Sequence, residues 1–137
     1  MTGVQIDTLA IVRATLTAPV NITGASSAAP TTAITVPSAD YPGGQYEVRV
    51  YAPFLTVGTT NLDIELWVDG AFSSSMSGHM AASIARPGTT FTTLVTLTPG
   101  GHSFLVRGFV DAGTGVFGAG AGTTGVAPNA FAAVYPA

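Results

Sequence analysis

The sequence predicts an all-β domain, a sandwich, jelly roll or barrel of about eight or nine short antiparallel strands. Three observations predict it. Apolar and polar residues alternate with a period of two over most of the chain, as in half-buried strands. The 3.6-residue pattern of an amphipathic helix is almost missing. Seventeen glycines and nine prolines punctuate the chain, leaving little uninterrupted length for a helix. At 137 residues the chain suits one domain, spanning 1–137.

The elements follow in order. Strands are expected near 9–17 (LAIVRATLT), 31–36 (TTAITV) and 45–52 (QYEVRVYA), then near 62–68 (LDIELWV) and 71–76. Further strands are expected near 79–85, 90–97 (TFTTLVTL), 102–110 (HSFLVRGFV) and 129–135 (NAFAAVY). Turn residues separate them: YPGG at 41–44, RPG at 86–88 and TPGG at 98–101. Asp69–Gly70 between 62–68 and 71–76 is the signal of a type I′ hairpin. Residues 1–40 hold the N-terminal strands and a loop of small polar residues at 23–30 (TGASSAAP). Residues 111–128 hold six glycines and one charge and are expected to be a loop. That loop lacks the composition for a core of its own, so its apolar Val116, Phe117 and Val126 are expected to anchor it on a neighbouring subunit.

Composition excludes several classes of function. Arg13, Arg49, Arg86 and Arg107 are the only cations, lysine is absent, and the net charge is −3. Neutralising nucleic-acid phosphates needs a basic cluster, so no nucleic-acid partner is expected. No apolar run approaches the ~20 residues of a membrane-spanning helix, and no membrane partner is expected. Asp7 and Arg13 interrupt the only apolar patch near Met1, so the N-terminus is expected to be an unprocessed start rather than a secretory signal. With no cysteine, disulfides and thiolate metal sites are unavailable. Charged residues make up 8% of the chain, against about 25% in a typical soluble domain. Such a surface must be built from Thr, Ser and Ala, or be covered by other chains.

The stretch NLDIELWVDGAF at 61–72 concentrates Asp63, Glu65 and Asp69 around Trp67. Alternation sends Leu62, Ile64, Leu66 and Val68 to one face and the acids with Trp67 to the other. The acids are therefore expected on a wet face, with Arg49 of the preceding strand pairing Asp63 or Glu65 across strands. Calcium takes six to eight oxygens, more than these side chains offer, so neither metal nor cofactor is expected. His79 and His102 belong to no metal-ligand or catalytic pattern, and no G-x-S-x-G is present. The glycines of 113–122 follow no βα pattern that would cradle phosphate, and the formal sequon at 21–23 is idle without secretion. An enzyme is not expected.

The last strands are apolar on both faces. Phe104, Val106 and Val110 oppose Leu105 and Phe109; Phe131, Ala133 and Tyr135 oppose Ala132 and Val134. A strand apolar on both sides is covered on both sides. A single-domain sandwich would draw the second cover from another subunit. Phe109, Phe131 and Tyr135 are therefore candidate subunit-interface residues, joined by Trp67 because tryptophan is enriched at interface hot spots.

YPGGQYEVRVYAPFL followed by LDIELWVDGAF resembles the middle strands of tumour-necrosis-factor-like and complement-head-like jelly rolls. FTTLVTLTPGGHSFLVRGFV resembles their next strand pair, and NAFAAVYPA their closing strand. The likeness spans residues 40–137 and lies in strand order and turn chemistry. Similar domains occur in tailed bacteriophages as capsid decoration and tail-fibre proteins. The resemblance implies an antiparallel jelly-roll sandwich of about eight to ten short strands, assembled as a homotrimer with no catalytic residues. It implies a decoration (cement) protein on a phage capsid surface, partnered by itself and the major capsid protein and made in the host cytoplasm. The alternative is a tail-fibre tip that binds a receptor or glycan.

Overall fold

The computed structural model describes residues 9–57, 61–77, 80, 88–122, 125–126 and 128–137. The strands in chain order are β1 (Val12–Leu16), β2 (Val20–Ile22), β3 (Thr31–Tyr41), β4 (Gly44–Ala52), β5 (Leu55–Thr56), β6 (Leu62–Val68) and β7 (Ala71–Ser75). They continue with β8 (Thr89–Leu97), β9 (Gly100–Val110), β10 (Gly115–Phe117), β11 (Ala121–Gly122), β12 (Gly125–Val126) and β13 (Ala130–Pro136).

Eight of these strands form two four-stranded antiparallel sheets, ordered β1-β13-β4-β8 and β3-β9-β6-β7. The pairing is nested: β1 with β13, β3 with β9, β4 with β8, and β6 with β7. A long hairpin folded over in this way places successive pairs in alternate sheets, which is the jelly roll. The expected fold class is therefore observed. Between the sheets lie the alternate residues of each strand, with Val48, Val50, Ile64, Leu66, Phe104 and Val106 fully buried. Each such side chain contributes ~1.5–3 kcal/mol through burial. β2, β10 and β5 form a third, three-stranded sheet, and β11 pairs with β12.

The structure departs from the sequence expectations at β3 and in residues 111–128. β3 runs on to Tyr41 through Pro37, which a register shift between Val36 and Ala39 accommodates. Part of the glycine-rich 111–128 is strand rather than loop: Gly115–Phe117 pairs with β2 on one side and β5 on the other. Its anchor Phe117 is fully buried in the core of its own chain, not held for a neighbour. The strand expected near 79–85 lies outside the described residues, save that Met80 bridges Leu62.

The Asp69–Gly70 turn is as expected: both residues have positive φ, 51° and 80°, as a type I′ turn requires. Asp69 also ties this turn to the start of β9. Its Oδ1 accepts from the Ser103 amide at 2.9 Å, and its Oδ2 lies 2.6 Å from His102 Nδ1. His102 Nε2 faces the Thr98 carbonyl at 2.9 Å. An imidazole between a carboxylate and a carbonyl bonds both only when both nitrogens carry protons. The hydrogen bond to Asp69, then that to Thr98, raises the His102 pKa. The same hydrogen bond from His102 and that from Ser103 lower the Asp69 pKa. His102 thus adds stability that is whole below its unfolded pKa near 6.5 and fades as pH rises through the higher folded value. Asp69 adds stability present above its unfolded pKa near 3.8 and lost as pH falls through the lower folded value. Melting temperature should therefore fall from pH 6 to pH 8.5 by more in wild type than in His102→Gln. Parallel curves would show that the contact does not titrate with folding.

Candidate functional site on the outer face of the first sheet

The outer face of sheet β1-β13-β4-β8 gathers the most chemistry among the described residues. Each strand alternates, so residues on one parity face out. These are Arg13 and Thr15 from β1, and Phe131, Ala133 and Tyr135 from β13. β4 adds Gln45, Glu47, Arg49 and Tyr51, and β8 adds Thr90, Thr92, Leu94 and Thr96. Register sets them in rows across the sheet. One row runs Thr15, Phe131, Tyr51, Thr90; the next Arg13, Ala133, Arg49, Thr92; a third Tyr135, Glu47, Leu94.

Contacts run between rows as well as along them. Phe131 and Tyr51 stack, with centroids 5.7 Å apart and planes 30° from parallel. The Arg13 guanidinium lies 4.1 Å from the Phe131 ring centre, and that of Arg49 lies 4.5 Å from the Tyr135 ring centre. Ala133 sits between the two arginines, and its methyl group leaves space for each to lie over a neighbouring ring. Such cation–π contacts contribute ~0.5–1 kcal/mol each at exposed sites. Arg49 Nε also donates to Glu47 Oε1, the chief reason its pKa is raised further. The result is a sheet face with aromatic ground, two guanidinium groups, one carboxylate and a border of threonine hydroxyls. Among the described residues no group of three or more His, Asp or Glu could hold a metal ion.

Of the four residues expected at a subunit interface, Phe131 and Tyr135 lie on this face. Phe109 and Trp67 lie on the outer face of the other sheet, so the structure does not bring the four together. The two-sided apolar pattern of β13 is real, but part of its second cover comes from Arg13, Arg49 and Tyr51 of the same chain. Arg13 and Tyr51 escaped notice in the sequence because each is an ordinary outward residue of an alternating strand. Only the pairing of β13 with both β1 and β4 sets them beside Phe131.

The acidic strand corrects two expectations. Asp63 and Glu65 are not on a wet face; they are 8% and 3% exposed. β6 lies inside its sheet, and large residues of its neighbours crowd its outer side. Arg107 and Phe109 of β9 stand opposite Glu65 and Asp63, and Phe72 of β7 opposite Trp67. Trp67 Nε1 donates to Glu65 Oε2 at 2.9 Å, and the Arg107 guanidinium lies 4.6 Å from the Trp67 ring centre. Phe72 meets the same indole edge-on, with centroids 6.4 Å apart. Arg49 does not pair with either acid because β4 and β6 belong to different sheets. The arginine in register with Glu65 is Arg107.

No family model matches the chain, and no curated protein matches it. Solved structures do. The family 35 carbohydrate-binding module of Cellvibrio japonicus Abf62 shares 17% identity over 95% of this chain and 89% of its own, with a TM-score of 0.47. A family 35 carbohydrate-binding module from Clostridium thermocellum shares 17% identity over 91% of this chain and 98% of its own, with a TM-score of 0.42. The module CBM6cm-2 of Cellvibrio mixtus lichenase 5A, solved with cellotriose, shares 12% identity over 94% of this chain and 99% of its own, with a TM-score of 0.41. These are carbohydrate-binding modules rather than tumour-necrosis-factor-like heads or phage proteins.

Proposed function

We propose that the chain is a non-catalytic binding module that takes a carbohydrate on the outer face of sheet β1-β13-β4-β8. The observation that carries this proposal is the row of Phe131 and Tyr51 beside Tyr135, interleaved with Arg13, Arg49 and Glu47. A pyranose ring has an apolar C–H face and a rim of hydroxyls. Aromatic side chains accept the first, and a few placed polar groups fix the second. Such a module is the glycan-binding alternative that the resemblance implied, without a commitment to a fibre. The capsid-decoration role drew on the two-sided apolar strands, and arginine cover within the chain removes much of that support.

The test is a screen of oligosaccharides by amide chemical shift, followed by titration calorimetry of the best ligand. Shifts should cluster on β4 and β13. Tyr51→Ala and Phe131→Ala should each weaken binding about tenfold or more, since losing a stacking ring costs ~1.5 kcal/mol. Ligand affinity unchanged in both variants, or shifts confined to the other sheet, would reject the site.

A further inference from the structure

We propose that β8 pairs edge to edge with β8 of a second copy of this chain, antiparallel about a two-fold axis, to join two four-stranded sheets into one of eight strands. The inference comes from comparing the four edges of the sandwich. A free edge strand offers unpaired amides and carbonyls to any other chain, and proteins blunt such edges with bulges, prolines, charges or short length. β1 has five residues, carries Arg13 and packs beside β3. β3 has two register shifts with Pro37 among its residues. β7 has five residues and a register shift against β6. β8 has none of these devices. All nine of its residues, TTFTTLVTL, pair with β4 in unbroken register, and none is charged, proline or glycine.

In an antiparallel pair, alternate residues turn their backbone groups away from the partner strand. Among the described residues, β8 pairs with β4 alone. Its side chains also ask for cover. Leu94 is 55% exposed on the outer face, and Phe91 is only partly buried on the inner one. A two-fold axis at Thr93 would set Leu94 opposite the partner's Thr92 and Phe91 opposite the partner's Val95. With no charge on the strand, no like-charge pair opposes the seam. A second copy is the fitting occupant because uncharged β8 is complementary to itself when reversed, and an isologous contact closes at two copies. The axis stands normal to the sheet, so both aromatic faces would lie on the same side of the dimer. Two copies of any ligand site there would then act together.

The test uses the full chain. Light scattering at tens of micromolar should give twice the 13.7 kDa of one chain. Thr92→Lys with Leu94→Lys sets lysines opposite lysines across the seam and should raise the dissociation constant by roughly a hundredfold, giving monomers. Both positions are exposed, and circular dichroism checks that the fold survives. In wild type every β8 amide should exchange slowly; a free edge would instead alternate slow and fast. Tyr51→Ala should leave the mass unchanged, which separates this contact from the carbohydrate proposal. A wild-type monomer with alternating exchange overturns the inference. So does a dimer or trimer that the lysine variant leaves intact, and if that variant misfolds, the wild-type exchange pattern decides.

Discussion

Phe117→Ala should remove about 3–5 kcal/mol of folding stability, a large share of the roughly 5–15 kcal/mol a domain of this kind possesses. The residue sits in a stretch that composition marks as a loop. Yet its side chain is fully buried, and its strand is held on both sides, by Val20 of β2 and Leu55 of β5. Truncation loses the transfer energy of the ring and leaves a cavity. Buried Gly118 and Ala119, next along the chain, have little side chain with which to fill it. In urea the midpoint should fall by ~2 M at an ordinary slope for a small domain. Val116→Ala, on the half-buried parity of the same strand, should cost ~1 kcal/mol or less. The cost of Phe117→Ala should not depend on protein concentration, because the pocket belongs to the same chain. A cost that grows on dilution would instead place the anchor in a neighbouring subunit.

Much of this fold was legible, and the reasons lie in particular residues. β4 and β6 alternate so cleanly that both read as strands, and the inward side of β6, from Leu62 to Leu66, follows from period alone. The Asp69–Gly70 turn needs positive φ twice, and few other dipeptides tolerate that. β2 and β10 were not legible because three residues are too few to show a period of two. The burial of Asp63 and Glu65 was hidden for a different reason. Alternation says which face a residue takes, not what stands on that face, and the covering Arg107, Trp67 and Phe72 come from three strands. The aromatic face was half visible. Phe131 and Tyr135 stood out on a strand apolar on both faces, but their arginines sit on strands whose pairing with β13 only the nested topology supplies.

Gly120→Ala should cost ~3 kcal/mol or more, and Gly70→Ala only ~1 kcal/mol, although both glycines have positive φ. The conformational penalty is similar: φ is +59° at Gly120 and +80° at Gly70, and an L-residue there loses ~1–2 kcal/mol. The surroundings differ. A Cβ at Gly70 would meet nothing within 4 Å, while one at Gly120 would lie 1.9 Å from the Thr17 carbonyl oxygen and 2.8 Å from its carbon. A backbone carbonyl cannot swing aside as a side chain does. Gly120 is further held by its own amide, which donates to the Pro128 carbonyl at 3.0 Å. Relief must therefore come from moving the chain at Thr17, just beyond the end of β1. β1 carries Arg13, whose guanidinium covers Phe131, so the strain would reach the aromatic face as well as the core. Urea unfolding of both variants beside wild type measures the difference, and calorimetry with the best oligosaccharide measures the second effect. Equal costs at the two glycines would mean that the approach of Thr17 to Gly120 yields freely and does not hold β1 in place.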